Sequence, residues 1–160
     1  PESSEPVRVE AENIRVLRGE DYMNHLYFKT FDKAKDRIWI VTYSLSNPDS
    51  RRMGSIFDKL QEKQEEGVQV RLLLAGDLEK NQKFMEKLKQ KYDFKVRLYR
   101  GDRKMHVKAI LVDDTHAYSG SANFTLTAFG RESESTIYMK DEKMVKKIEE
   151  NIDRLWEEEI

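Results

Sequence analysis

Two short stretches of the chain carry side chains whose spacing suits phosphate chemistry. The first is His106-Val107-Lys108-Ala109-Ile110-Leu111-Val112-Asp113, and the second, starting seven residues past Asp113, is Gly120-Ser121-Ala122-Asn123. On an extended strand, side chains at i and i+2 share a face about 6.6 Å apart. His106 and Lys108 are therefore expected to point one way while Val107 and Ala109 point the other. Ser121 and Asn123 repeat the i, i+2 relation on a neighbouring segment. The expected outcome is an imidazole, an ammonium, a hydroxyl and a carboxamide converging at the edge of a sheet. Imidazole can attack phosphorus or donate a proton near neutral pH. Lysine and asparagine can hold the non-bridging oxygens, and losing one such donor typically costs roughly 10²–10³ in rate.

The elements that must position these groups follow from hydrophobic periodicity. Pro1 to Pro6 is polar and reads as a disordered arm, leaving 7–160 as one domain. Val7 to Arg18 suits one or two short strands. From Glu20 to Lys35 the residues Met23, Leu26, Tyr27, Phe31 and Ala34 recur at helical spacing. Arg37 to Tyr43 reads as a buried strand. Asn47 to Ser50 is a turn that opens a helix carrying Met53, Ile56, Phe57 and Leu60, closed by Gly67. Val68 to Ala75 is a second buried strand. Asp77 is expected to cap a helix reaching Lys91, with Phe84, Met85 and Leu88 on one face. Strands are expected at 94–99, 106–113, 117–119 and 136–139, with a short helix over 122–129 and a last one over 141–156. This alternation predicts an α/β domain with a mixed, mostly parallel β-sheet flanked by helices on both faces.

Composition narrows the functions available. The 160 residues carry 29 basic and 30 acidic side chains, so a globally basic nucleic-acid binder is excluded but a local basic patch is not. There is no cysteine, which removes disulfides, thiolate zinc sites and cysteine nucleophiles together. No apolar run approaches the roughly 20 residues of a membrane span, and neither a GxGxxG nor a Walker-type loop is present. A cytoplasmic location is the expectation, with the Pro1 start leaving a removed segment open.

The spacing His-x-Lys-x4-Asp-x6-Gly-Ser-x-Asn resembles the HKD motif of the phospholipase D superfamily, with His106, Lys108, Asp113, Gly120, Ser121 and Asn123 filling every position. Tyr43-Ser44, the Gly67 to Val70 segment, Phe124-Thr125 and an acid about eleven residues after Asn123 fit the same pattern. That acid is placed at Glu134, with Glu132 as the other register. The resemblance implies a phospholipase D-like fold and a metal-free, cofactor-free mechanism in which one histidine attacks the phosphodiester and a second protonates the leaving oxygen. By the same resemblance His106 is nucleophile or acid. Lys108, Asn123 and Ser121 hold the phosphate, Glu134 orients His106, and Asp113 fixes the strand end. The other histidines, His25 and His116, are followed by no lysine at i+2. Two histidines then require two chains, and a homodimer of the endonuclease-like branch is expected.

From Lys95 to Lys108 six bases face one acid. Arg100, Arg103, Lys104 and, farther on, Arg131 are the candidates for contact with a nucleic-acid backbone. Metal binding by Asp113, Asp114 and His116 is disfavoured, since Asp-Asp-Thr-His suits a solvated turn. His25 is expected to pack rather than react, and Tyr22, Tyr27, Phe28 and Phe31 are expected in the core. The function expected is an endonuclease acting on DNA or RNA. The rivals are a phospholipid hydrolase or transphosphatidylase of the same chemistry, without stable membrane association, and a nuclease or regulatory module excised from a larger restriction or helicase protein.

Overall fold

A computed structural model describes residues 5–101, 104–130 and 134–158. Seven strands form one sheet: β1 (Ile14–Leu17), β2 (Arg37–Thr42), β3 (Gln69–Ala75), β4 (Lys95–Tyr99), β5 (Ala109–Val112), β6 (His116–Gly120) and β7 (Thr136–Lys140). Their order across the sheet is β1-β7-β6-β5-β2-β3-β4. Of the six neighbouring pairs, β2–β3 and β3–β4 are parallel, and the other four are antiparallel. The α/β class and the mixed sheet stand, but the expectation of a mostly parallel sheet is corrected. Long helices separate only β2, β3 and β4. β5 and β6 are joined by residues 113–115 alone, far short of the dozen or more that a parallel crossover needs, and the longer 121–135 connection, which holds α4, still sets β7 antiparallel beside β6.

Helices cover both faces. On one lie α1 (Gly19–Asn24), α2 (Arg51–Glu65), α3 (Glu79–Lys91) and α4 (Leu126–Gly130), packed on the inward side chains Ile38, Ile40, Leu72, Leu74, Ile110 and Tyr118. On the other lies α5 (Glu142–Glu157), whose Val145, Ile152, Leu155 and Trp156 cover Val41, Leu73, Leu111 and Ala117. β2 is buried at all six residues, as a strand covered on both faces must be. Ser50 and Asp141 cap α2 and α5 by accepting the N–H of Met53 and Met144. Gly67 follows α2 at φ +98°, a left-handed conformation in which a side chain would be strained.

Several boundaries differ from expectation for local reasons. The helix expected over Glu20 to Lys35 is α-helical only to Asn24 and continues as a π-helix over His25–Phe31. There the Thr30 hydroxyl donates to the Leu26 carbonyl at 2.9 Å, competing with the backbone ladder. Within that segment Phe31 is buried but Phe28 is 54% exposed, outside the core it was expected to join. α3 begins at Glu79 behind Leu78, and Asp77 makes no cap. α4 starts only at Leu126, because Phe124 is drawn into a parallel bridge with Leu45. The arm 1–4, Arg103 and Arg131 to Ser133 lie outside the described residues.

Candidate active site

The pairing directions bring the C-terminal ends of β2, β3, β4 and β6 and the N-terminal ends of β5 and β7 to one edge of the sheet. Both halves of the motif meet there. β5 begins only at Ala109, so His106 and Lys108 precede the strand and do not alternate along it. The pairing of β2 with β5 ends at Val41 opposite Ala109, leaving residues before Ala109 without a ladder partner on that side. Tyr43 instead gathers the basic groups. The His106 imidazole stacks on the Tyr43 ring with centroids 4.3 Å apart and planes 11° from parallel. The Nζ atoms of Lys104 and Lys108 lie 5.4 Å and 5.9 Å from the same ring's centroid, within cation–π range. Lys108 Nζ also donates to the His106 carbonyl at 3.1 Å.

Asn123 is fixed through its oxygen. Oδ1 accepts the Ser44 N–H and the Thr42 hydroxyl, each at 3.1 Å, and the Phe124 N–H returns to Thr42 Oγ1 at 3.0 Å. The carboxamide NH₂ has no partner among the described residues and remains a donor for an anion. Ser121 has its hydroxyl engaged with backbone. Its hydroxyl donates to the Ser135 carbonyl at 3.2 Å and accepts the Ser135 N–H at 3.3 Å, while its own N–H donates to the same carbonyl. The side chain pins β6 to the start of β7. Gly120 permits that approach, since a Cβ there would sit 2.7 Å from the Ser135 oxygen.

Glu134 lies directly before this junction. One of its carboxylate oxygens is buried without a hydrogen-bond partner, and no bond joins it to His106. The expected orienting contact is thus not formed in the single chain, although an acceptor stands ready for a donor. Asp113 sits at the opposite edge, at φ +53°. Its carboxylate accepts the N–H groups of Lys35, Asp36 and Arg37 at 2.8–3.2 Å. His116 Nδ1 bonds the Tyr138 hydroxyl and His25 Nδ1 the Tyr118 hydroxyl, at 2.7 Å and 2.8 Å. Burial holds both imidazoles below their ordinary pKa. Among the described residues no three His, Asp or Glu side chains are grouped to hold a metal ion.

Beside His106, Arg100 and Lys104 line a cleft of about 410 Å³ with Gly76, Asp77, Tyr99, Gly101 and Met105. Arg97, counted in the same basic block, is turned away. It lies over Trp156 and donates to that residue's carbonyl at 2.8 Å. Three site groups were not anticipated: Thr42, Lys80, whose Nζ reaches Ser44 Oγ at 2.6 Å, and Asn81. Asn81 carried a readable signal, a carboxamide on the apolar stripe of Phe84, Met85 and Leu88.

Comparison with known proteins adds the lineage. Residues 27–156 match the family described as cardiolipin synthase, PLD-like domain. A probable cardiolipin synthase of Bacillus subtilis, YwiE, is 28% identical over 92% of this chain, and the chain spans 30% of that relative's length. Among solved structures, NucT from Helicobacter pylori superposes with a TM-score of 0.74 at 20% identity, covering 90% of this chain and 95% of that one. Nuc from Salmonella typhimurium, a phospholipase D family member, gives 0.68 at 22% identity, covering 89% and 94%. No helix among the described residues is long and apolar enough to cross a membrane.

Proposed function

The chain belongs to the phospholipase D-like family, and from that premise we propose a metal-independent phosphodiesterase that cleaves DNA or RNA through a phosphohistidine, at a site completed by two copies of the chain. The observation that carries this reading is the meeting of His106, Lys108 and Asn123 at one sheet edge, with Asn123 Oδ1 already taken by Ser44. A ring nitrogen of His106 attacks phosphorus. The N–P bond forms as the P–O bond to the leaving group breaks, and the leaving oxygen takes a proton from His106 of the second copy. Water then attacks phosphorus, gives its proton to that second imidazole, and the N–P bond breaks. The Lys108 ammonium and the Asn123 NH₂ hold the charge on the non-bridging oxygens, as a metal otherwise would. Nucleic acid is favoured by the Arg100 and Lys104 cleft beside His106, and by a fold that covers NucT and Nuc almost end to end.

A second reading, transfer of a phospholipid headgroup, is favoured by the family description and by the relative named a probable cardiolipin synthase. One experiment separates them: labelled DNA, RNA and phosphatidylglycerol vesicles are each incubated with the protein in EDTA, and products are resolved. Nucleic-acid cleavage supports the first reading, and turnover of lipid alone replaces it with the second. Trapping a phosphoenzyme that is absent in His106→Asn tests the intermediate. Sedimentation of the active species tests the shared site, because a fully active monomer contradicts it.

A further inference from the structure

Asn81 is 0% exposed, on the face of α3 that also buries Leu88. Its carboxamide joins two strand ends and the loop between them and the site. Nδ2 donates to the Tyr43 carbonyl at 2.8 Å and the Ala75 carbonyl at 2.9 Å, and Oδ1 accepts the Leu45 N–H at 3.3 Å. Tyr43 directly follows β2, and Ala75 is the last residue of β3. Asn81 therefore grips the residue on each side of Ser44. The arch it holds, Tyr43 to Leu45, presents the ring on which His106 stacks and the N–H that orients Asn123.

We infer that Asn81 is a positioning residue for the reacting groups, fixing the His106 ring through Tyr43 and the Asn123 carboxamide through Ser44. The inference rests on the reading of His106 as the reacting group, though not on the substrate. Asn81 itself touches nothing that reacts. A residue that merely tied strand ends together would affect stability alone. A positioning residue also moves the imidazole, because a carboxamide with two strong donors is the group that sets the arch's height above the sheet.

The test is NMR on the folded chain, whose three histidines give separable ring signals. Wild type is expected to show cross-relaxation between the Tyr43 and His106 ring protons. Asn81→Ala is expected to weaken it and to shift the His106 signals toward those of Tyr43→Leu. His25 and His116, held by Tyr118 and Tyr138, serve as folded-state controls and stay in place. In turnover assays kcat falls about tenfold or more with KM nearly unchanged. A folded Asn81→Ala that keeps the Tyr43–His106 contact and wild-type kcat overturns the inference. If Asn81→Ala does not fold, Asn81→Ser, which retains one donor, is read the same way. Absence of the contact in wild type overturns it whatever any variant does. A positive NMR result without turnover of any phosphodiester removes His106 as a reacting group and the positioning role with it, whereas turnover in a folded Asn81→Ala with an unmoved imidazole overturns the positioning role alone.

Discussion

Asn123 gives its carboxamide oxygen to the Ser44 N–H, 3.1 Å away, and so reserves its NH₂ for another acceptor. Asn123→Asp keeps that accepted bond and replaces the donor with an anionic oxygen. The fold is expected to survive, seen as an unchanged circular dichroism spectrum, while kcat falls by roughly 10²–10³, the cost of losing one aimed donor.

His106→Asn removes the attacking nitrogen from an exposed position whose ring stacks on Tyr43 outside the hydrophobic core. Activity on any phosphodiester is expected to fall by a factor on the order of 10⁴ or more, with melting temperature unchanged. Wild-type activity is expected to persist in EDTA. Residual activity in His106→Asn near that of wild type would remove the histidine from the mechanism.

Arg100→Gln with Lys104→Gln subtracts two cations from the cleft beside His106. On a long nucleic acid KM should rise, and the slope of log affinity against log salt should become shallower by about one per charge removed. On a small phosphodiester that does not reach the cleft, kcat/KM should hardly change. Fluorescence anisotropy across a salt series reads the first effect.

Burial holds His25 below its ordinary pKa, aided by the nearby Arg15, His116 and Lys29; burial does the same to His116, opposed by Asp113. The unfolded chain then binds more protons than the folded one below about pH 6.5, so stability rises with pH there. It is fully present above that pH and is lost as pH falls toward the depressed folded values. Urea unfolding at pH 7.5 and 5.5 should show the loss, and His25→Gln should flatten it.

Gly120→Ala would put a Cβ 2.7 Å from the Ser135 oxygen and 2.9 Å from the Thr136 Cα. Both contacts are backbone, so β7 must move. Stability should drop by about 1–3 kcal/mol in chemical denaturation, and Ser121 should lose its bonds to Ser135.

Periodicity revealed α2, the two buried parallel strands and α5, because each buries its own regular stripe. The motif's spacing encodes a hairpin, β5 to β6, that returns the segments of His106 and Asn123 to one edge and leaves Asp113 at the other. Other features depend on partners remote in sequence. Thr42 and Asn123 are 81 residues apart, and Asn81 reaches back 38 residues to Tyr43, so no local pattern pairs them. A mostly parallel sheet is the expectation because strand follows helix so regularly before β5, and nothing local to β5 announces its reversal against β2. The bonds of Ser121 to Ser135 were likewise illegible, because its spacing to Asn123 says nothing about a residue fourteen positions on.

The Asp113 carboxylate holds three successive amides at the edge of the sheet away from His106. β5 is only four residues long, about 13 Å of strand. Side chains alternate with every residue, so a slip of β5 by one position against β2 would turn the whole strand over. Asp113, by locking Val112 opposite Ile38, forbids that slip. The motif thus spans the sheet, with a register lock at one end of β5 that fixes Ala109 opposite Val41 at the other, where the segment carrying the imidazole leaves the ladder.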